Sequence, residues 1–249
     1  MLSYFCAELV GTFILCTIGN GSVAQNIVQG ASYLDINIAY GLGCAFGVYV
    51  SAGVSGGHIN PAVTLSEAIL GRLTWKKCGI YILGQLLGAF LSSAVVYLVY
   101  YDAIDYVDPN RLVPATASVD ACLTQCLADC NCTACSVCTP TAGIFSTYPT
   151  GLYPTRTLTL FFDQFFGTML LVLIVASFGD AKNTSPASGF SPYLVGMLVV
   201  ALGLSFGINC GYAINPARDL GPRMFSAIIY GQDVFTGSFV GYRSIVKIF

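Results

Sequence analysis

Two Asn-Pro-Ala triplets, Asn60-Pro61-Ala62 and Asn215-Pro216-Ala217, lie far apart in an otherwise apolar chain. Each sets an Asn where it caps a helix and a Pro at the first helical position, where a missing N–H costs nothing. Each short helix so begun stands among long hydrophobic segments. Irregular backbone survives in such surroundings only if it is buried in protein or lines a watery cavity. Two broken helices in matching places predict an inverted repeat with a solute path between its halves.

Composition places that path in a membrane. Hydrophobic residues make up 55% of the 249 and charged residues only 9%, against about 25% charged in soluble domains. A net charge of −2 excludes a basic nucleic-acid-binding surface. Apolar stretches of spanning length run over about 2–23, 36–55, 80–101, 158–178 and 192–208; a bilayer core needs about 20 residues of helix. No Lys or Arg stands near Met1 and Glu8 interrupts the first stretch, so it reads as a retained span rather than a signal peptide. Gly84 with Gly88, and Gly203 with Gly207, have the four-residue spacing that permits close helix approach.

Charge sets the expected orientation. Arg72, Lys76 and Lys77 follow the first triplet and belong on the cytoplasmic side, with the N-terminus and Lys182. The 102–156 connection carries five Asp against two Arg and is expected to face outward. Register supports the repeat: Glu8 precedes Asn60 by 52 positions, Gln164 precedes Asn215 by 51, and each stands three residues before a Gly-Thr pair. The expected organisation is one membrane domain over 1–249. It comprises a first repeat (about 1–101), an external loop (102–156), a second repeat (157–235) and a short divergent tail (236–249).

The stretches V-S-G-G-H-I-N-P-A-V-T-L (54–65), T-A-G-I-F-S-T-Y-P (141–149), F-F-D-Q-F-F-G-T (161–168) and G-Y-A-I-N-P-A-R-D-L-G-P-R (211–223) resemble the aquaporin superfamily, the major intrinsic proteins. Asp219, directly after Arg218, resembles the glycerol-conducting aquaglyceroporin branch. The resemblance implies an all-α membrane fold with two re-entrant half-helices, and a passive channel for glycerol, other small neutral polyols and water, with urea as a further candidate. It also implies a homotetramer at the plasma membrane. By the same resemblance the narrow filter is Tyr40, Gly203, Tyr212 and Arg218. Chemistry agrees with that set: a polyol needs an apolar wall, which the Tyr rings supply, and fixed donors, which Arg218 supplies.

Each residue also has a structural reading. Arg218 could be an ion-pair partner, and the two Tyr belt aromatics. His58, the sole His, reads as pore-lining or as a core imidazole bonded to a carbonyl. Glu8 reads as a structural acceptor for the half-helix backbone, with Gln164 in the matching place. An ion-coupled transporter would need midplane carboxylates, and only Glu8 is expected to sit in a span interior. No nucleophile–base pair, phosphate loop or carboxylate pair suited to a metal is present, so neither catalysis nor a cofactor is expected.

Two stretches depart from the family pattern. Cys122, Cys126, Cys130, Cys132, Cys135 and Cys138 crowd into the external loop. Disulfides, for which 15 pairings exist, a soft-metal cluster and no defined pairing all stay open. Asn131-Cys132-Thr133 is a glycosylation sequon on the outward side. The family has six spans, and the sixth is expected to be missing: 15 residues, Phe235–Phe249, reach only about 22 Å as a helix. An alternative role follows from that expectation, a non-conducting subunit that assembles with and regulates full-length channels.

Overall fold

The computed structural model describes residues 1–111, 113, 140–149, 156–180 and 182–236. Every regular element among them is helical. Helix α1 spans Leu2–Gln29, α2 Tyr33–Ser55, α3 Pro61–Ile69, α4 Trp75–Val99 and α5 Tyr101–Val107. A 3-10 turn follows at Thr141–Ile144, then α6 at Thr157–Phe178, α7 at Ser191–Phe206, α8 at Pro216–Tyr230 and α9 at Asp233–Thr236. The six loop cysteines and Asn131 lie outside the described residues. So does the tail after Thr236, on which the expectation of a missing sixth span rests.

Local chemistry sets the helix ends. Ser32 and Asp35 form a reciprocal capping box at the start of α2, Ser32 N donating to Asp35 Oδ2 at 2.9 Å and Asp35 N to Ser32 Oγ at 3.3 Å. Gly30 (φ 75°) closes α1 and Gly56 (φ 93°) closes α2 in the left-handed region that glycine enters without penalty. Thr74 caps α4 through Lys77 N, 3.4 Å from its Oγ1.

Polarity is inverted relative to a protein in water. Glu8, Thr12, Asn20, Thr64, Gln85, Ser92 and Arg223 are wholly buried. Leu34, Ile38, Leu42, Phe46 and Val50 form an exposed apolar stripe, one residue per turn, along α2. Lipid is the solvent that rewards this arrangement. Among the described residues α1, α2, α4 and α6 are long and apolar enough to cross a bilayer. The fifth expected span, α7, is a shorter apolar helix of 16 residues.

Helix α1 lies along both α2 and α4, α2 against α7, and α4 against α8. Glycines permit these contacts. A Cβ on Gly84 would stand 2.6 Å from Phe5 O, and one on Gly88 2.2 Å from Leu9 O, so α4 rests directly on α1 backbone. Gly203 and Gly207 differ from that expectation. Their vacant space is filled by side chains, Tyr212 and Asn37 at the first and Tyr33 at the second. The two halves touch backbone to backbone elsewhere, where Gly41 and Gly196 face one another; a Cβ on either would come within 2.7 Å of the other's carbonyl oxygen. Each stands 19 residues before the Asn of its own triplet. The pseudo-two-fold relation therefore runs through this glycine pair.

Candidate functional site: a cavity built on two meeting half-helices

The short helices α3 and α8 begin at the two triplets and point their N-termini at each other. Asn60 caps α3 by accepting from Ala62 N at 2.9 Å. Asn215 caps α8 by accepting from Ala217 N at 3.1 Å and Arg218 N at 3.2 Å. Each carboxamide then reaches across. Asn60 Nδ2 donates to Ile214 O at 2.9 Å, and Asn215 Nδ2 to Ile59 O at 2.8 Å. A carboxamide carries two N–H donors, so each Asn spends one on the opposite half and keeps one.

The residue before each Asn makes the exchange possible, and the sequence reading passed over it. Ile59 (φ 43°) and Ile214 (φ 35°) are held in the left-handed region, which a β-branched residue enters only under strain. The repeated Ile-Asn-Pro-Ala was the available signal. Each strained Ile gives its carbonyl to the opposite Asn and its N–H to a buried side chain of its own half. Ile59 N donates to Glu8 Oε2 at 2.7 Å, and Ile214 N to Gln164 Oε1 at 3.2 Å.

Glu8 has the structural placement expected of it. Its carboxylate also accepts from Ser55 Oγ (2.5 Å), His58 N (3.0 Å) and Gln85 Nε2 (2.7 Å). Gln85 donates further to Thr64 Oγ1 at 2.9 Å, a supporting role that nothing in the sequence singled out. Ile59 N, Ser55 Oγ, His58 N and Gln85 Nε2 make four donors converging on the Glu8 carboxylate. Gln164 fixes the second loop by donating to Gly211 O at 2.8 Å.

A cavity of about 480 Å³ passes the two Asn. Tyr40, Tyr212 and Arg218 line it, as do His58, Glu67 and Phe178; Leu15, Val48, Leu171 and Val195 are among its apolar walls. The Arg218 guanidinium lies 4.5 Å from the Tyr40 ring centre. Tyr40 and Tyr212 meet edge to face at 6.1 Å. Arg218 Nη1 and the Tyr212 hydroxyl have no hydrogen-bond partner among the described residues. Three of the four residues expected of the filter thus lie together on the cavity wall. Gly203 lies behind it: an added Cβ would stand 2.5 Å from Tyr212 Cζ. It admits the Tyr212 ring rather than widening the lumen directly.

The remaining predicted residues fall into place as follows. His58 borders the cavity with Nδ1 3.2 Å from Thr64 Oγ1 and its ring against Tyr81, so its partner is a hydroxyl, not a carbonyl. Asp219 is turned away from the cavity, accepting from Thr147 N (2.9 Å) and Oγ1 (2.7 Å) and from Arg223 Nε (3.1 Å) and Nη2 (3.0 Å). Arg223, wholly buried, also donates to Thr147 O and Val234 O, both at 2.7 Å. Asp219 and Arg223 therefore tie α8 to the 140–149 segment, and the ionic partner of Asp219 is Arg223 rather than Arg218. Arg223 carried no signal that distinguished it from other basic residues.

Four helices among the described residues that are long and apolar enough to cross a bilayer, two half-helices meeting at their N-termini and a cavity past their caps define a multi-pass membrane protein. Residues 1–242 match the family described as major intrinsic protein. The chain is 43% identical over 234 residues to aquaporin-10 of Milnesium tardigradum, covering 92% of this chain and 52% of that one. It is 40% identical over 239 residues to mouse aquaporin-7, covering 94% and 71%. The X-ray structure of the aquaglyceroporin from Plasmodium falciparum superposes with a TM-score of 0.78 at 26% identity, covering 98% of this chain and 89% of that one. The chain thus spans about half the length of the tardigrade relative. It belongs to the major intrinsic protein family, in its aquaglyceroporin branch.

Proposed function

We propose that this protein is a passive, bidirectional channel for glycerol and other small neutral polyols, passing water and urea as well. The observation that carries the reading is the paired use of Asn60 and Asn215. Each commits one amide N–H to the opposite half and borders the cavity with the other to spare. A solute oxygen at that point meets two donors and the positive ends of two helix dipoles, which disfavour cations. At the Tyr40–Tyr212–Arg218 constriction the rings offer a wall to C–H groups. The free Nη1 of Arg218 and the Tyr212 hydroxyl serve hydroxyls on the other side.

The reading includes a cytoplasmic N-terminus, residence in the plasma membrane and assembly as a homotetramer with one path per subunit. It rests there on charge placement and family membership. Vesicle swelling in a glycerol gradient tests the function. Vesicles holding folded protein are expected to swell faster than empty ones; equal rates would refute the proposal.

A further inference from the structure

The ring of Tyr40 does two jobs at the constriction: it faces the Arg218 guanidinium at 4.5 Å and meets Tyr212 edge-on at 6.1 Å. Its own position is set from behind, by α1. The Tyr40 hydroxyl donates to Asn20 Oδ1 at 2.6 Å. Asn20 has no exposed surface, and Tyr40 is only 2% exposed. The neighbouring Gly19 supplies the space: a Cβ there would stand 2.1 Å from Tyr40 Cε1. The ring is thus seated in a glycine notch and tethered at its tip by one carboxamide.

That carboxamide is costly to keep. Asn20 Nδ2 has no hydrogen-bond partner among the described residues, and an unpaired buried donor is a standing penalty that calls for an explanation. An apolar residue of similar size would fill the space without that penalty but would take away the acceptor of the Tyr40 hydroxyl. We infer that Asn20 is a positioning residue for the constriction, acting through the Tyr40 hydroxyl to hold the ring that seats Arg218. The inference rests on the channel reading above. Asn20 borders no part of the cavity, so its effect on the solute is indirect. Released from Asn20, the ring turns toward the lumen and Arg218 loses its aromatic face. Glycerol, the wider solute, is hindered more than water.

The test is a double-mutant cycle read as the ratio of glycerol to water permeability in vesicles. Tyr40→Phe removes one oxygen, and Asn20→Leu removes the same hydrogen bond from the other side. Tyr40→Phe also keeps the inference testable if Asn20→Leu folds poorly. Each single variant is expected to lower the ratio roughly fivefold, the scale of one lost buried hydrogen bond, and the double variant to lower it no further. An Asn20→Leu effect that is undiminished in the Tyr40→Phe background would overturn the inference. So would a lowered melting temperature with an unchanged ratio, which would mark Asn20 as structural only. If the unaltered protein passes water but no glycerol, the proposed function falls and this inference with it; if it passes glycerol and neither variant alters the ratio, this inference alone falls.

Discussion

The two half-helices are held from behind by unlike chemistry in matching places. In the first half a buried carboxylate, Glu8, gathers four groups, two of them backbone N–H groups of the loop before α3. In the second half the neutral Gln164 takes Ile214 N and donates to Gly211 O, with Asp163 Oδ2 and Cys210 Sγ sharing its second N–H. The fourth residue after each Asn differs as well. Thr64 sits under Gln85 at 2.9 Å, whereas Asp219 pairs with the buried Arg223. Backbone geometry is shared across the halves, down to the strained Ile before each Asn, and the side chains that sustain it are not. The buried charge lies inside α1 in one half, where it anchors the loop before α3, and along α8 in the other, where it ties that helix to Thr147.

This contrast predicts unequal responses. Glu8→Leu should be the most damaging change, since it strips the acceptor from the buried Ile59 N–H, the partly buried His58 N–H and Gln85. A loss of about 3–5 kcal/mol is expected, read as a fall in thermal stability of the protein in detergent. Arg223→Met leaves Asp219 as a nearly buried, unpaired charge. It should cost about 3 kcal/mol and loosen the 140–149 segment, measurable as faster hydrogen exchange at Thr147. Gln164→Leu removes a single acceptor from Ile214 and should cost about 1–3 kcal/mol. An equal or larger loss than for Glu8→Leu would break the claimed asymmetry. Gly203→Ala should cost about 1–3 kcal/mol through overpacking against Tyr212 and reduce glycerol passage more than water in a swelling assay. At the small end, Arg72→Ala breaks an ion pair to Glu67 in which the Arg is 54% exposed. It should change the melting temperature little, since such pairs contribute about 0–1 kcal/mol.

Much of this plan was legible in the sequence because it is written in residue types with few other uses. Asn followed by Pro fixes a helix start, and an apolar stretch of spanning length fixes a transmembrane helix. An ionisable Glu8 inside such a stretch calls for a buried partner set, which the structure supplies. Legibility failed where the determinant was a pairing across the fold. Gly41 and Gly196 look like any small residues in a span, and only their contact reveals the seam between halves. Gly203 was placed in the filter by resemblance, and the sequence there says only that a side chain is missing, not what fills the gap. Asp219 was recognised beside Arg218, but its partner Arg223 lies one helical turn further on and faces Thr147, which sequence proximity does not disclose.

The most direct test of the central claim is the glycerol permeability of vesicles carrying the unaltered protein beside Asn60→Leu and Asn215→Leu variants. Each substitution deletes one amide that bridges the halves and borders the cavity. The account predicts glycerol-driven swelling well above empty vesicles for the unaltered protein, and loss of that excess in both variants whenever the folded protein is present. Glycerol flux in the variants equal to that of the unaltered protein would contradict it, because solute would then be crossing without the two Asn on which the whole arrangement converges.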